Sequence, residues 1–303
     1  MEFQIDNIKY NLKEFQDLSW ISQFGKVFSC IDQTGSGCIN FGVEKNNKKY
    51  FLKIAGAKTL FSEVSTNTSK EILQNAVKIY KSINHPNLIK LVDCFFKSEF
   101  FVAIFEWVDG ECLFDHWNFD FYKKNQTILS PIQKFKKLSL NKRLNLVNKL
   151  FSFFIAVRNA GFVAVDFYDS SIIYNFDNDE VFFCDIDLFK KPPIINNQGS
   201  NYYGTKRLKA PEENLFGASI DEQTNLFTLG GIIFDLFSKT DKSNISERYS
   251  KGHFIPPLEN KFCLDKSAYN ILLKATQLDK SNRYLTFEEF FNEWNTCICN
   301  IKN

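Results

Sequence analysis

The chain's 303 residues suit one two-lobed domain or two small ones, and 44% hydrophobic content, with 34 Phe, can bury a sizeable core. A net charge of +2 carries no electrostatic footprint for nucleic acid, which excludes that partner. The best apolar run, 150–157, is stopped by Arg158 before it could span a bilayer, and the opening MEFQIDNIKYNLKEF lacks a signal-peptide pattern, so a cytoplasmic protein is expected.

Residues 1–25 read as a polar lead-in with room for one helix. Segments 27–31 and 39–43 read as strands around Gln-Thr-Gly-Ser-Gly. A turn over 44–48 carries Asn46 and Asn47, and 50–54 is a third strand, completing an antiparallel meander. Ile72, Ala76, Ile79 and Ile83 keep helical spacing across 69–83. His85-Pro86 ends that helix, because the residue before proline avoids the α region. Strands follow at 88–96 and 100–107. After Asp109-Gly110 the texture changes. Residues 118–137 read as an irregular loop with one short helix. Leu140, Leu144, Val147, Phe151 and Ile155 mark one face of a long helix over 138–159. Residues 222–238 are apolar on most sides and read as a buried helix. Amphipathic helices are expected over 266–276 and 286–298. The class is α+β: a lead-in over 1–25, a sheet lobe with one helix over 26–108, and a mainly helical lobe over 109–303.

The most informative residues lie between the long helix and the buried one. In GFVAVDFYDSSIIYN and EVFFCDIDLF, Asp166 and Asp185 each end an apolar run, nineteen positions apart. The Asn-Phe-Asp-Asn-Asp between them has turn composition, so a hairpin would bring both carboxylates to one end of a small sheet. One carboxylate to orient or deprotonate a hydroxyl, beside one to hold a divalent cation, is what phosphoryl transfer needs. The eight cysteines include no CxxC, and the three histidines, at 85, 116 and 253, are scattered. Reduced, buried thiols are expected, and a His/Cys metal site is not.

Further motifs stand in a fixed order. They are Tyr50-Phe51-Leu52-Lys53-Ile54, then Ile83-Asn84-His85-Pro86-Asn87-Leu88-Ile89, then AIFEWVDG over 103–110. Val163-Ala164-Val165-Asp166 and Cys184-Asp185-Ile186-Asp187 follow, then Gly204-Thr205 with Ala210-Pro211-Glu212. Asn225-Leu226-Phe227-Thr228-Leu229-Gly230 and Asp279-Lys280-Ser281-Asn282-Arg283 complete the series. From about Val27 to Phe291 this series resembles the eukaryotic-type protein kinase superfamily. The wording AVDFYD, CDID and IDEQTNLFTLG resembles a divergent bacterial set within it.

The resemblance implies a bilobal fold that binds ATP with Mg²⁺ or Mn²⁺ between its lobes. It implies that Gly35 and Gly37 cover the phosphates and that Lys53 holds them. Phe105 stands at the gatekeeper position, Glu106 to Val108 present backbone to adenine, and Glu111 reaches the ribose. Asp166 would orient the acceptor hydroxyl. Asp185 would hold metal, with Ser171 and Asp187 as further candidate ligands. Thr205 is structural, and Glu212 would pair with Arg283 to clamp the activation segment.

The departures are many. The phosphate loop, Gln33-Thr34-Gly35-Ser36-Gly37-Cys38, lacks part of GxGxxG, so looser cover is expected. The helix glutamate that should pair with Lys53 has no clear counterpart. Its counted position is Ala76, Glu71 is more than a turn away, and Glu63 is a further candidate. The H-R-D histidine and arginine are Ala164 and Val165, and the catalytic-loop lysine is Tyr168. Ser171 replaces the metal-binding asparagine, Asp187 the D-F-G glycine, and Asn225 the aspartate that opens the buried helix. Asp187 and Asp169 are candidate compensating carboxylates. Because Val165 cannot pair a phosphate, the activation segment is expected to work unphosphorylated, with Ser200, Tyr202 and Tyr203 optional. Three functions remain open. The first is a Ser/Thr protein kinase, which the surviving Lys53, Asp166 and Asp185 favour. The second is a pseudokinase that serves as a nucleotide-binding scaffold. The third is a small-molecule kinase, against which Glu212 and Arg283 speak.

Overall fold

The computed structural model describes residues 1–115, 118–239 and 242–302, so His116 lies outside the described residues. Two units are distinguished, Met1–Asn84 with Leu88–Asp109 and His85–Asn87 with Gly110–Asn303.

The first unit begins with a hairpin of β1 (Glu2–Ile5) and β2 (Ile8–Asn11), followed by a 3-10 turn over Ser19–Phe24. The expectation of a polar lead-in is corrected here. Ile5, Tyr10, Leu12, Leu18, Trp20 and Ile21 join Val27, Phe41, Leu52 and Ile54 in one core. Apolar residues alternate with polar ones along Phe3 to Leu12, and burying such a side chain contributes about 1.5–3 kcal/mol. Asp6 fastens the hairpin by accepting a hydrogen bond from the Val27 N–H at 2.7 Å.

The meander is β3 (Lys26–Ile31), β4 (Cys38–Lys45) and β5 (Lys48–Ala55). Asn46 and Asn47 turn β4 into β5 at φ 54° and 59°, a region asparagine tolerates. Helix α1 (Thr66–Ser82) opens on Ser65, whose hydroxyl accepts from the Thr68 N–H at 3.1 Å, and buries Leu73, Ala76, Val77 and Tyr80. Strands β6 (Leu91–Lys97) and β7 (Phe100–Glu106) complete an antiparallel sheet of order β3-β4-β5-β7-β6.

The second unit starts with β8 (Glu111–Cys112). Residues 118–137 hold two short helices, α2 (Phe119–Lys124) and α3 (Pro131–Lys136), where one was expected. Helix α4 (Leu140–Asn159) follows, then the hairpin β9 (Ile172–Asn175) and β10 (Glu180–Phe183), which extends β8. The two-residue strands β11 (Ile194–Ile195) and β12 (Ser219–Ile220) pair across the activation segment. Helix α5 (Glu222–Phe237) is buried along most of its length. Helix α6 (Lys242–Lys251) is polar and gave no periodic signal, with Arg248 its one buried residue. Helices α7 (Lys266–Ala275) and α8 (Phe287–Lys302) close the unit. Phenylalanines 153, 154, 167, 183 and 189 stack beneath the Asp166 turn, the closest pair being Phe153 and Phe183 at 4.5 Å between ring centres. The eight cysteines are reduced thiols, but only Cys38 and Cys297 are buried, because the others lie on strand edges, loops or outer helix faces.

Candidate active site

In the sheet unit, Lys53 stands on β5 between Asn40 of β4 and Ala103 of β7. Its neighbours Leu52 and Ile54 are fully buried on the core side, so strand alternation turns Lys53 to the opposite face. The turn at Gly35 and Gly37 is fastened at three carbonyls. Thr59 donates to the Thr34 carbonyl at 3.2 Å, the Glu63 N–H to that of Gly35 at 2.9 Å, and Ser69 to that of Gly37 at 2.9 Å. The anchors come from the segment leading into α1, Thr59 and Glu63, and from Ser69 in its first turn. Gly37 has φ +70°, and a Cβ there would come within 3.0 Å of the Ser62 hydroxyl, so the position requires glycine. Ala76 is buried, whereas Glu71 and Glu63 are exposed. Phe105 is buried and meets Tyr80 of α1 edge-on at 4.8 Å. The Glu106 N–H donates to the Lys90 carbonyl at 2.9 Å, and its carboxylate pairs with Lys90 at 2.6 Å. Neither the N–H nor the C=O of Val108 has a protein partner among the described residues.

In the helical unit, Asp166 and Asp185 share an unusual backbone, with φ 61° and 55°. Left-handed, non-glycine backbone costs on the order of 1 kcal/mol and persists only where surroundings enforce it. The enforcement at Asp166 is visible. Asn225 on α5 accepts from the Ala164 N–H at 2.7 Å and donates to the Ala164 C=O at 2.7 Å. Asparagine can do both where a carboxylate could only accept. The Asp185 end is set by the Cys184 N–H donating to the Ser171 carbonyl at 3.0 Å and by the Phe183 N–H donating to that of Asn87. Burial and the Asp185 charge push the Asp166 carboxyl up to about 7, against the pull of Lys209. Burial and the carboxylates at 166, 185 and 169 raise the Tyr168 phenol, which stands where a lysine was expected.

Asp169 does not join this site. It is buried and ion-paired with Arg207 of the activation segment. Arg207 also reaches Asp235 of α5 at 3.3 Å, and Asp235 takes Arg248 of α6 at 2.8 Å. The chain of four charges ties the Asp166 turn to the segment and to two helices. Glu111 on β8 is held by Lys134 at 2.7 and 2.9 Å, so a ribose would have to share that carboxylate. Glu212 and Arg283 form a bidentate pair at 2.7 and 2.9 Å. Arg283 is fully buried and spends its remaining donors on the carbonyls of Gln277, Gln223 and Leu278. Thr205 accepts from the Leu208 and Lys209 N–H groups through its carbonyl, a structural part. It also lines a small cavity of about 10 Å³ with Asp166, Gly204, Lys209 and Glu213. Glu213 gives no signal in the sequence, and Lys209 reads there only as one of three cations, with Lys206 and Arg207, that a phosphate on the segment could pair.

The metal expectation fits the donors present. The Ser171 hydroxyl is buried without a hydrogen-bond partner, and one Asp187 carboxylate oxygen is likewise buried. Ser171 is fastened to the residue before Asp185. Two carboxylates and a hydroxyl are the hard oxygen ligands that Mg²⁺ or Mn²⁺ prefers. No group of three or more His, Cys, Asp or Glu that could hold a metal by themselves occurs among the described residues. No helix among them is long and apolar enough to cross a membrane.

Residues 24–293 match the family model described as protein kinase domain. Curated relatives include serine/threonine-protein kinase cds1 of Schizosaccharomyces pombe, 21% identical over 88% of this chain and 58% of its own length. Another is the probable serine/threonine-protein kinase fhkA of Dictyostelium discoideum, 24% identical over 91% of this chain and 51% of its own. The chain thus spans a little over half the length of these relatives.

Proposed function

The chain belongs to the protein kinase domain family, and from that premise we propose that it is an active ATP-dependent Ser/Thr protein kinase. The observation that carries the reading is the Asp166–Asp185 pair, two electrostatically coupled carboxylates on enforced left-handed backbone. Maintaining two such residues against strain and like charge is costly without a chemical use.

Asp166 orients the acceptor hydroxyl and takes its proton as the oxygen attacks. A pKa near 7 suits that role, because a base works best near its operating pH. Lys53 holds phosphate oxygens, and the fastened turn at Gly35 and Gly37 keeps its backbone in place over them. The open backbone of Val108 offers a donor and an acceptor to an adenine edge. Asp185, with Ser171 and Asp187, would hold a divalent ion, which would supply positive charge to the phosphates. Most of the rate gain comes from position and charge, since phosphoryl transfer asks for little covalent help. The buried Glu212–Arg283 clamp supports a protein acceptor, and the names of both relatives agree with Ser or Thr.

The nucleotide-binding scaffold is the second reading, favoured by Tyr168 and by the exposed Glu71. Thermal shift separates the assignments at the metal end. Mg²⁺ with ATP is expected to raise the melting temperature of the wild type, and Asp185→Asn to remove most of that rise while keeping the ligand-free melting point. Equal stabilisation of both proteins would refute Asp185 as the metal holder.

A further inference from the structure

We propose that Lys209 is a positioning residue of the transfer site, its buried ammonium tying the activation segment to the wall of the cavity that holds Asp166. The inference rests on the kinase reading for its chemistry and on geometry for the tether. Lys209 is buried, and desolvation makes an ammonium costly unless its protons are used. Its Nζ donates to the Tyr202 carbonyl and, at 3.4 Å, to that of Ser200. No ion pair of it with a carboxylate occurs among the described residues, so the two carbonyls are its hydrogen-bond partners. Its own backbone is fixed, the N–H donating to Thr205 at 3.2 Å and the C=O accepting from Phe254 at 2.9 Å.

The same side chain lines the cavity with Asp166, Gly204, Thr205 and Glu213. The groups facing Asp166 from the elements around it are Asp185 after β10, Glu213 after the segment, Tyr168 in its own turn and Lys209. Two are acidic and one is a phenol, so Lys209 is the positive charge among them. With Tyr168 in the catalytic loop and Val165 beside Asp166, neither position can supply a cation. Lys209 does so from the activation segment, and one buried side chain both orders that segment and offsets the carboxylates. No phosphate is needed for the tether.

The test uses the full chain, with hydrogen exchange of the amides over 199–205 and steady-state phosphotransfer to casein as separate readouts. In Lys209→Met, exchange over 199–205 is expected to rise about tenfold or more, as for a segment released from its anchor. Turnover should fall about 100-fold with the KM for ATP changed less than about twofold, the size of losing one preorganised charge. Lys209→Arg should recover most of both. Should Lys209→Met not fold, Lys209→Gln keeps N–H donors without the charge and is expected to show the turnover loss. Wild-type exchange in Lys209→Met, or in Lys209→Gln if that replaces it, together with wild-type turnover would overturn the proposal. So would raised exchange with turnover unchanged. A wild type that transfers no phosphate would defeat the kinase reading, while exchange would still decide the tether.

Discussion

Burial holds the Glu213 carboxyl well above the usual carboxylate range. It is buried and accepts from the Ala210 N–H at 2.7 Å, and desolvation, with Glu212 and Asp166 as like charges, pushes it up to about 8. An unfolded glutamate titrates near about 4.3. Between those two values the unfolded chain has shed its proton and the folded chain has not. Stability from this group is therefore full below about pH 4 and is lost as pH rises towards 8. Glu213→Gln removes the titration and keeps an acceptor for Ala210. The variant should gain on the wild type between pH 5 and pH 8, by on the order of 1–3 kcal/mol in denaturant titrations. A difference that stays flat over that interval would mean that Glu213 ionises normally. Asn225 makes a related point. It replaces an expected aspartate, yet its amide satisfies both main-chain groups of Ala164.

At the scale of elements, the activation segment is held by internal contacts. Strands β11 and β12 pin its start, Lys209 its middle, and Glu212 with Arg283 its end. Lys190 lies over the rings of Tyr202 and Tyr203 at 5.4 and 4.6 Å. Phosphatase-treated protein is accordingly expected to keep its initial rate without a lag, as is the variant Ser200→Ala, Tyr202→Phe, Tyr203→Phe. A lag that disappears after pre-incubation with ATP would contradict this. Glu212→Ala and Arg283→Ala should each cost about 3–5 kcal/mol, because each strands a buried partner, and the double variant should cost less than their sum. Strict additivity in the cycle would show that the pair is not an energetic contact.

How far such elements were legible follows from the range of their causes. The β9–β10 hairpin was readable because its apolar runs and its Asn/Asp turn are contiguous, α1 and α4 because their periodicity is local, and α5 because its run is apolar on most sides. The Glu212–Arg283 pair was reached through motif order rather than spacing. The β1–β2 hairpin was missed because Asp6-Asn7 cuts its alternation into two runs of four residues. Helix α6 has almost no apolar face to read. The Asp169–Arg207 pair and the carbonyl contacts of Lys209 depend on where the segment folds, which no local pattern encodes.

The whole chain carries one family assignment over residues 24–293 and two separable units. Residues 1–23 precede the matched region but share the core of the first unit, so they belong to its folding. Deleting 1–12 should lower the melting temperature by several degrees, since Ile5, Tyr10 and Leu12 leave that core and a loss of about 1 kcal/mol already shifts a domain by about 2–4 °C. An unchanged melting curve would make the hairpin an appendage. The central claim is phosphotransfer at Asp166. Purified protein incubated with γ-labelled ATP, Mg²⁺ or Mn²⁺ and casein should label seryl or threonyl residues. Asp166→Asn, melting like the wild type, should lower the initial rate by about 100-fold or more. Equal labelling by the two proteins, or none by the wild type with either metal, would contradict the account.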